Sequence, residues 1–277
     1  MAANSPMATF TFLALGLAAL LLSAAGPAEA QNCGCRPNEC CSTDGYCGTS
    51  IAYCGRACQS GACAVLSGGI AVPVESVVTA AFFNGIKSHA VAGDGCAGKN
   101  FYTLRSFLDA ARANPDFAKG RSKDDSKREI AAFFAQVAHE TGHLCLIEET
   151  NGASKDYCDE RDTDWPCYAG WAYYGRGPLQ LRWNSNYGPA GKSIGFDGLR
   201  NPEKVAQDPV VAFKAALWLW MNNVHPFVPQ GFGATTRAVS GIAECDGGNS
   251  TAVNARASYY RDYCKKFGVD PGNFLTC

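Results

Sequence analysis

Apolar residues recur at helical spacing in four stretches of the chain, whereas the alternation expected of strands is scarce. The first runs from Val77 to Ile86. In the second, Leu104, Phe107, Leu108 and Ala111 share a face behind Phe101-Tyr102-Thr103, and Asn114-Pro115 ends it. The third carries Ile130, Phe133, Phe134 and Val137, and the S-x-x-E spacing of Ser126 and Glu129 predicts a capping box that starts it. In the fourth, Asp208 caps, Pro209 opens, and Val210, Phe213, Leu217, Trp220 and Met221 form the apolar set. Trp218 on that helix faces either the core or a ligand, with the core as the default. Between these stretches lie a turn-rich break near Gly93 to Gly98 and a polar, cysteine-bearing loop from Asn151 to Trp171. The pattern predicts a mainly α-helical domain with long loops.

Composition adds a second unit and an address. Fifteen cysteines in 277 residues point to an oxidising compartment. Eight of them fall between Cys33 and Cys63, and seven are spread from Cys96 to Cys277. Residues 31–64 hold almost no aliphatic side chains, so disulfides must replace a core there. Spacing alone leaves about 105 possible pairings of eight cysteines. A metal reading of the C-x-C spacing sits poorly with secretion. Phe10 to Ala25 is apolar and is followed by Ala28-Glu29-Ala30, which reads as a cleaved signal peptide over residues 1–30, although the leading residues lack Lys or Arg. The alternative, a membrane anchor, needs about 20 apolar residues, more than this run supplies. With no second such run, the mature form is expected to be soluble, without a membrane segment. With 24 basic and 25 acidic side chains and no basic stripe, nucleic acid is not an expected partner. Residues 65–74 read as a linker, and 75–277 are long enough for a core of their own.

The candidate chemistry lies where the third helix ends. Glu140 closes its apolar face, and Glu149 follows nine residues later. Both could be solvated helix-end charges. His139-Glu140-Thr141-Gly142-His143 also fits H-E-x-x-H, the zinc-protease motif. That motif needs both histidines on one helical turn, and Gly142 disfavours helix where it must continue. No metal or other cofactor is therefore expected. Paired carboxyls also serve glycoside hydrolysis, where one is kept protonated to donate to the leaving oxygen and the other stays ionised.

Motifs along the whole chain carry a resemblance that bears on this choice. C-C-S-x-x-G-Y-C-G-x-x-x-x-Y-C, ending at Cys54, resembles the hevein-type chitin-binding domain. That resemblance implies the pairs Cys33–Cys41, Cys35–Cys47, Cys40–Cys54 and Cys58–Cys63, and a sugar-stacking platform of Ser42, Tyr46 and Tyr53. Asp44 takes the place of the platform's first aromatic ring. An exposed ring on a sugar face is worth on the order of 1 kcal/mol, so binding should weaken without vanishing. From about Glu75 onward the chain resembles the catalytic domain of glycoside hydrolase family 19 chitinases of the plant class IV type. The residues that carry this are Cys96 with Phe101-Tyr102-Thr103 and Phe107-Leu108, Ala138 to Gly142, and Tyr173 to Pro178. Asn186 to Gly191, Ala212-Phe213 through Trp218 to Met221, and Glu244-Cys245 complete the set.

The resemblance implies a lysozyme-like α-helical fold and an inverting reaction on β-1,4-linked N-acetylglucosamine. It assigns Glu140 as general acid and Glu149 as general base, with carboxyl groups roughly 6.5–9.5 Å apart to admit a water. Glu244 and Arg256 match a supporting carboxylate and guanidinium, and Gln180, Asn186 and Tyr174 match residues of the sugar groove. Disulfides Cys96–Cys145, Cys158–Cys167 and Cys245–Cys277 follow, leaving Cys264 as the odd, buried thiol. His139 is read as structural.

Three positions depart from the family pattern. Arg182 stands where a Ser or Thr hydroxyl helps hold the attacking water, Ser185 replaces a groove tyrosine, and Ser240 replaces a groove asparagine. A cation beside Glu149 would lower its pKa and weaken it as a base. Two functions therefore stand side by side. One is a secreted endochitinase with the family's usual role in plant defence against fungi, and the other is a chitin-binding protein with reduced or lost catalysis. The expected partners are chitin and N-acetylglucosamine oligomers, the expected form a monomer, and the expected destination extracellular, with the vacuole as the alternative. Asn249-Ser250-Thr251 is an acceptor for N-glycosylation.

Overall fold

A computed structural model describes residues 33–37, 39–42, 45–49, 51–54, 58–61, 63, 70–90, 95–155 and 157–277. The predicted signal segment, Asp44 and residues 65–69 of the linker lie outside these. In the cysteine-dense module, β1 (Cys40–Ser42) is the middle strand of an antiparallel sheet, flanked by β2 (Cys47–Gly48) and β3 (Cys58–Gly61). Four disulfides, Cys33–Cys41, Cys35–Cys47, Cys40–Cys54 and Cys58–Cys63, hold this sheet in place of a core. Cys40 and Cys54 pack on Phe227 of the large domain, and Tyr53, Ala234 and Ala238 border that cluster. At the far end of the predicted linker, β4 (Ile70–Ala71) pairs with β5 (Lys119–Gly120), and Val72 is buried. That end is therefore joined to the large domain.

Among the described residues, seven helices of nine residues or more build the large domain: α1 (Ala80–Ser88), α2 (Leu104–Arg112), α3 (Lys123–Thr141), α4 (Asn184–Ile194), α5 (Pro209–Leu219), α6 (Phe232–Ser240) and α7 (Ser250–Phe267). The first predicted helix is split. Val74–Val77 forms one turn, and Thr79 then caps α1 by accepting from the Phe82 amide. The fourth also shortens, because Trp220 and Met221 belong to a wider π turn, Trp220–Val224, that follows α5. Trp218 lies half-buried against the second apolar cluster, formed by Tyr173, Tyr187, Leu199 and Val205. No helix among the described residues is long and apolar enough to cross a membrane.

The central element is α3. Residues 129–138 are all buried, so the helix is covered on every side rather than along one apolar stripe. Ala131, Ala132 and Ala135 let neighbours close in, and α7 is the helix that packs most extensively against it. Phe133 and Phe134 meet the rings of Phe82, Phe107 and Trp220 edge-on at 4.8–5.4 Å. The sequence placed the helix start at Ser126, but the cap is Ser122, whose hydroxyl accepts from the Asp125 amide. Ser126 lies inside the helix and gives its hydroxyl to the Ser122 carbonyl. Glu129 caps nothing. Its buried carboxylate accepts Trp220 Nε1 at 3.0 Å and pairs with His225 Nδ1 at 2.6 Å. Burial with two partners outcompeted the local capping option, since an unpartnered carboxylate there would be costly.

Candidate active site

Glu140 is the penultimate residue of α3, and the way that helix stops fixes where its side chain points. Gly142 adopts a left-handed conformation at φ 58°, and the His143 amide closes back on the Ala138 carbonyl at 2.7 Å. His143 and Leu144 continue at φ 65° and 62°, with the Leu144 amide held by Thr141 Oγ1. His143 has thus left the helical turn that carries His139. Among the described residues, the one cluster spaced to hold a metal is Cys33, Cys35 and Cys47, and those sulfurs belong to disulfides.

A carboxylate in the last helical turn faces the negative end of the helix dipole. Here a buried guanidinium compensates. Arg256, on α7, is 1% exposed and gives Nε to Glu244 Oε2 at 2.8 Å and Nη2 to Glu244 Oε1 at 2.7 Å. The same Nη2 reaches Glu140 Oε1 and the Ser240 hydroxyl, and Nη1 donates to Gln136 Oε1 at 2.7 Å. Gln136 lies one turn before Glu140 on the same face, and its amide nitrogen is held by Thr235 and Thr236 of α6. Burial acts to raise the Glu244 pKa, but the Arg256 hydrogen bonds and charge outweigh it and the pKa is lowered. His139 lies 3.9 Å from Glu244 Oε1; burial, then the Arg256 charge, lower its pKa, which favours the neutral ring.

Glu149 has a different setting. The loop after α3 pairs with the Tyr174–Leu181 segment: the Glu149 amide donates to the Gly175 carbonyl at 2.8 Å, and the Gly175 amide returns a bond to Oε2 at 3.1 Å. Lys155 Nζ and the Tyr157 hydroxyl both reach Oε1, the latter at 2.9 Å, and Arg182 Nε reaches Oε2 at 3.2 Å. Burial would raise this carboxyl, but the bonds from Lys155, Tyr157, Gly175 and Arg182 prevail and bring it down to about 2. Gly175 is required where it stands, because a Cβ there would lie 2.8 Å from Gln180 Oε1 and 3.1 Å from both Arg182 Nε and Glu149 Oε2. Neighbouring Glu148 is committed elsewhere. Its Oε1 accepts Arg176 Nε at 3.0 Å and the Tyr174 hydroxyl at 2.9 Å.

The helical domain thus carries two carboxyls, Glu140 sharing one guanidinium with Glu244 and Glu149 held between the cations of Lys155 and Arg182. The profile of the glycoside hydrolase 19 family, described as chitinase class I, matches residues 77–229 and 222–277. The chain belongs to glycoside hydrolase family 19. The profile described as chitin recognition protein matches residues 25–63. Chitinase 5 of Oryza sativa subsp. japonica is 62% identical over 99% of this chain and 100% of its own length. Endochitinase A of Zea mays is 58% identical over 99% of this chain and 100% of its own length. The crystal structure of a family 19, class IV chitinase from Zea mays superposes with a TM-score of 0.71 at 58% identity, over 74% of this chain and 100% of that one.

In this family 19 domain, the remaining expected site residues fall into two groups. Arg182 and Gln180 converge on Glu149 at Gly175, and Asn186 is tied to them through its bond to the Arg182 carbonyl. Gln180 is 4% exposed, with its amide nitrogen on the Gly177 carbonyl, and Ser240 joins the Arg256 cluster. Tyr174 is drawn instead to Glu148, with the Arg176 guanidinium 3.7 Å above its ring, and Ser185 is exposed near the start of α4. In the small module the Ser42 hydroxyl is buried and accepts from the Tyr46 amide, while the Tyr46 ring is 68% exposed and Tyr53 is half-buried. The large-domain disulfides are Cys96–Cys145, Cys158–Cys167 and Cys245–Cys277. Cys264 is a buried free thiol, and burial pushes it up to about 11. Sequence reasoning passed over Gln136, Lys155 and Tyr157. A signal existed for Gln136 alone: an amide four residues before Glu140, inside an apolar run.

Proposed function

We propose that this chain is a secreted endochitinase that hydrolyses β-1,4 linkages of N-acetylglucosamine polymers with inversion, with Glu140 as general acid and Glu149 as general base. The observation that carries this reading is the opposite electrostatic setting of the two carboxyls. One guanidinium serves both Glu140 and Glu244, and Glu244 takes two of its N–H groups. Arg256 engages Glu140 Oε1, and the general acid's proton passes to the glycosidic oxygen from the other carboxyl oxygen. Glu149, held at about 2, stays ionised and can take a proton from water on the opposite face of the sugar. Gln180 and Asn186 shape the groove wall beside it. The reading extends to a chitin-binding module over residues 31–64 behind a signal segment at 1–30, to a linker before the catalytic domain of 75–277, and to defence against chitin-bearing fungi.

A second reading, chitin binding with reduced catalysis, is favoured by one contact. Arg182 Nε lies on Glu149 Oε2 where a small hydroxyl would leave room for water. An Arg182→Ser variant should cleave a chitin hexamer with kcat/KM raised about three- to tenfold, the scale set by roughly one pKa unit of base strength. A kcat/KM equal to that of the parent would remove Arg182 from the account.

A further inference from the structure

The base carboxylate is fully occupied in the free protein. An ionised carboxylate offers about four lone-pair sites, and Glu149 meets four donors, two on each oxygen. Oε1 accepts Lys155 Nζ and the Tyr157 hydroxyl, and Oε2 accepts the Gly175 amide and Arg182 Nε. A general base must accept a hydrogen bond from the water it activates. One donor has to leave first.

The four are not equally free to leave. The Gly175 amide is backbone, locked by the reciprocal bond from the Glu149 amide to its carbonyl at 2.8 Å. Tyr157 is held edge-on against Trp183 at 5.2 Å. Arg182 is two-thirds buried, and its carbonyl anchors Asn186. Lys155 differs on each count. Its side chain is 49% exposed, and among the described residues its ammonium bonds to Glu149 alone. Its root is nevertheless fixed, because the Lys155 amide bonds to the Gly152 carbonyl at 2.9 Å after the Gly152–Ser154 turn.

We propose that Lys155 is a removable cap on Glu149: in the free protein it fills Oε1, and a sugar entering the groove lifts it off so that water can take its place. The proposal rests on Glu149 being the base. Lys155 is a positioning residue, acting through Glu149 rather than on the sugar's reacting atoms. Rotation about its unbranched stem needs no backbone movement, and the released ammonium finds acceptors in water or in the sugar's hydroxyl and acetamido oxygens. The charged and titratable groups facing Glu149 are Lys155, Arg182 and Tyr157, while Glu148 is turned to Arg176 and Tyr174. Two cations on one carboxylate leave a local excess of positive charge. Removing Lys155's charge should therefore open a lone pair and strengthen the base without freeing Arg182.

The test is the pH profile of kcat and kcat/KM on a chitin hexamer for the parent, Lys155→Met, Lys155→Arg and Glu149→Gln. Lys155→Met is expected to raise kcat and to move the acid limb of kcat/KM upward by about one unit, as loss of an adjacent opposite charge does. The sign follows from the base working only when ionised: a raised pKa brings protonation, and loss of activity, at higher pH. Lys155→Arg, which keeps a cation in reach, should retain the parental profile. A Lys155→Met variant with lower kcat and an unmoved acid limb, or with no change in either, would overturn the cap. Parental turnover by Glu149→Gln would instead overturn the assignment of the base itself, so the two failures are distinguishable.

Discussion

Replacing Glu140 with Gln is expected to lower kcat on a chitin hexamer by about 10²–10⁴-fold, the usual share of a general acid, while the protein stays folded. The reason is local. Gln has nearly the same shape, its Oε1 can still accept Arg256 Nη2, and Glu244 continues to neutralise the guanidinium through two hydrogen bonds. What is lost is the transferable proton, since an amide nitrogen cannot hand one to the leaving oxygen. Initial rates together with a thermal midpoint separate this outcome from misfolding. A folded variant within tenfold of the parent would remove Glu140 from the acid's role.

The second large effect concerns stability. Arg256→Ala removes the cation on which Glu140, Glu244, Gln136 and Ser240 all depend, at a position 1% exposed. Breaking a buried ion pair by deleting one partner costs about 3–5 kcal/mol, and unfolding in urea at neutral pH should show a loss of that size. The loss should depend on pH in a definite direction. In the parent, Arg256 depresses the Glu244 pKa, so its contribution is fully present above the ordinary carboxylate range and fades as pH falls through the lowered value. The variant lacks that contribution, and its two carboxyls repel when ionised. The gap between parent and variant should narrow as the pH is lowered into the carboxylate range. Arg256→Lys should not restore it, because one ammonium cannot reproduce the guanidinium's fork between Glu244 and Glu140. An equal gap at neutral and acid pH would mean that packing, not charge, makes Arg256 matter.

How much of this could be read from the residues differs from element to element. The core of α3 was legible because Ile130, Phe133, Phe134 and Val137 repeat at helical spacing, and its end because Gly142 follows Glu140. Its start was misread. Ser126 and Glu129 have capping spacing, but Trp220 and His225, some 90 residues away in sequence, take the Glu129 carboxylate into the core. Tertiary partners outweighed a local option. Helix α7 was missed although Val253, Ala257, Tyr260, Cys264 and Phe267 recur at helical spacing on its buried side, because a cation, Arg256, interrupts that face. Arg256 itself was identified through family resemblance, not from its helix. Arg182 was singled out as a departure that would bear on Glu149, and its guanidinium does meet that carboxylate. Lys155 and Tyr157 left no trace in the sequence, since they sit in a polar loop that only the fold brings back onto Glu149.

The central claim, direct displacement by water between Glu140 and Glu149, is tested most directly by the anomer formed first. Proton NMR of a chitin hexamer digest, recorded in the first turnovers before mutarotation, should show the new reducing ends appearing as the α-anomer, as inversion of a β-linkage requires. Initial release of the β-anomer would contradict the account.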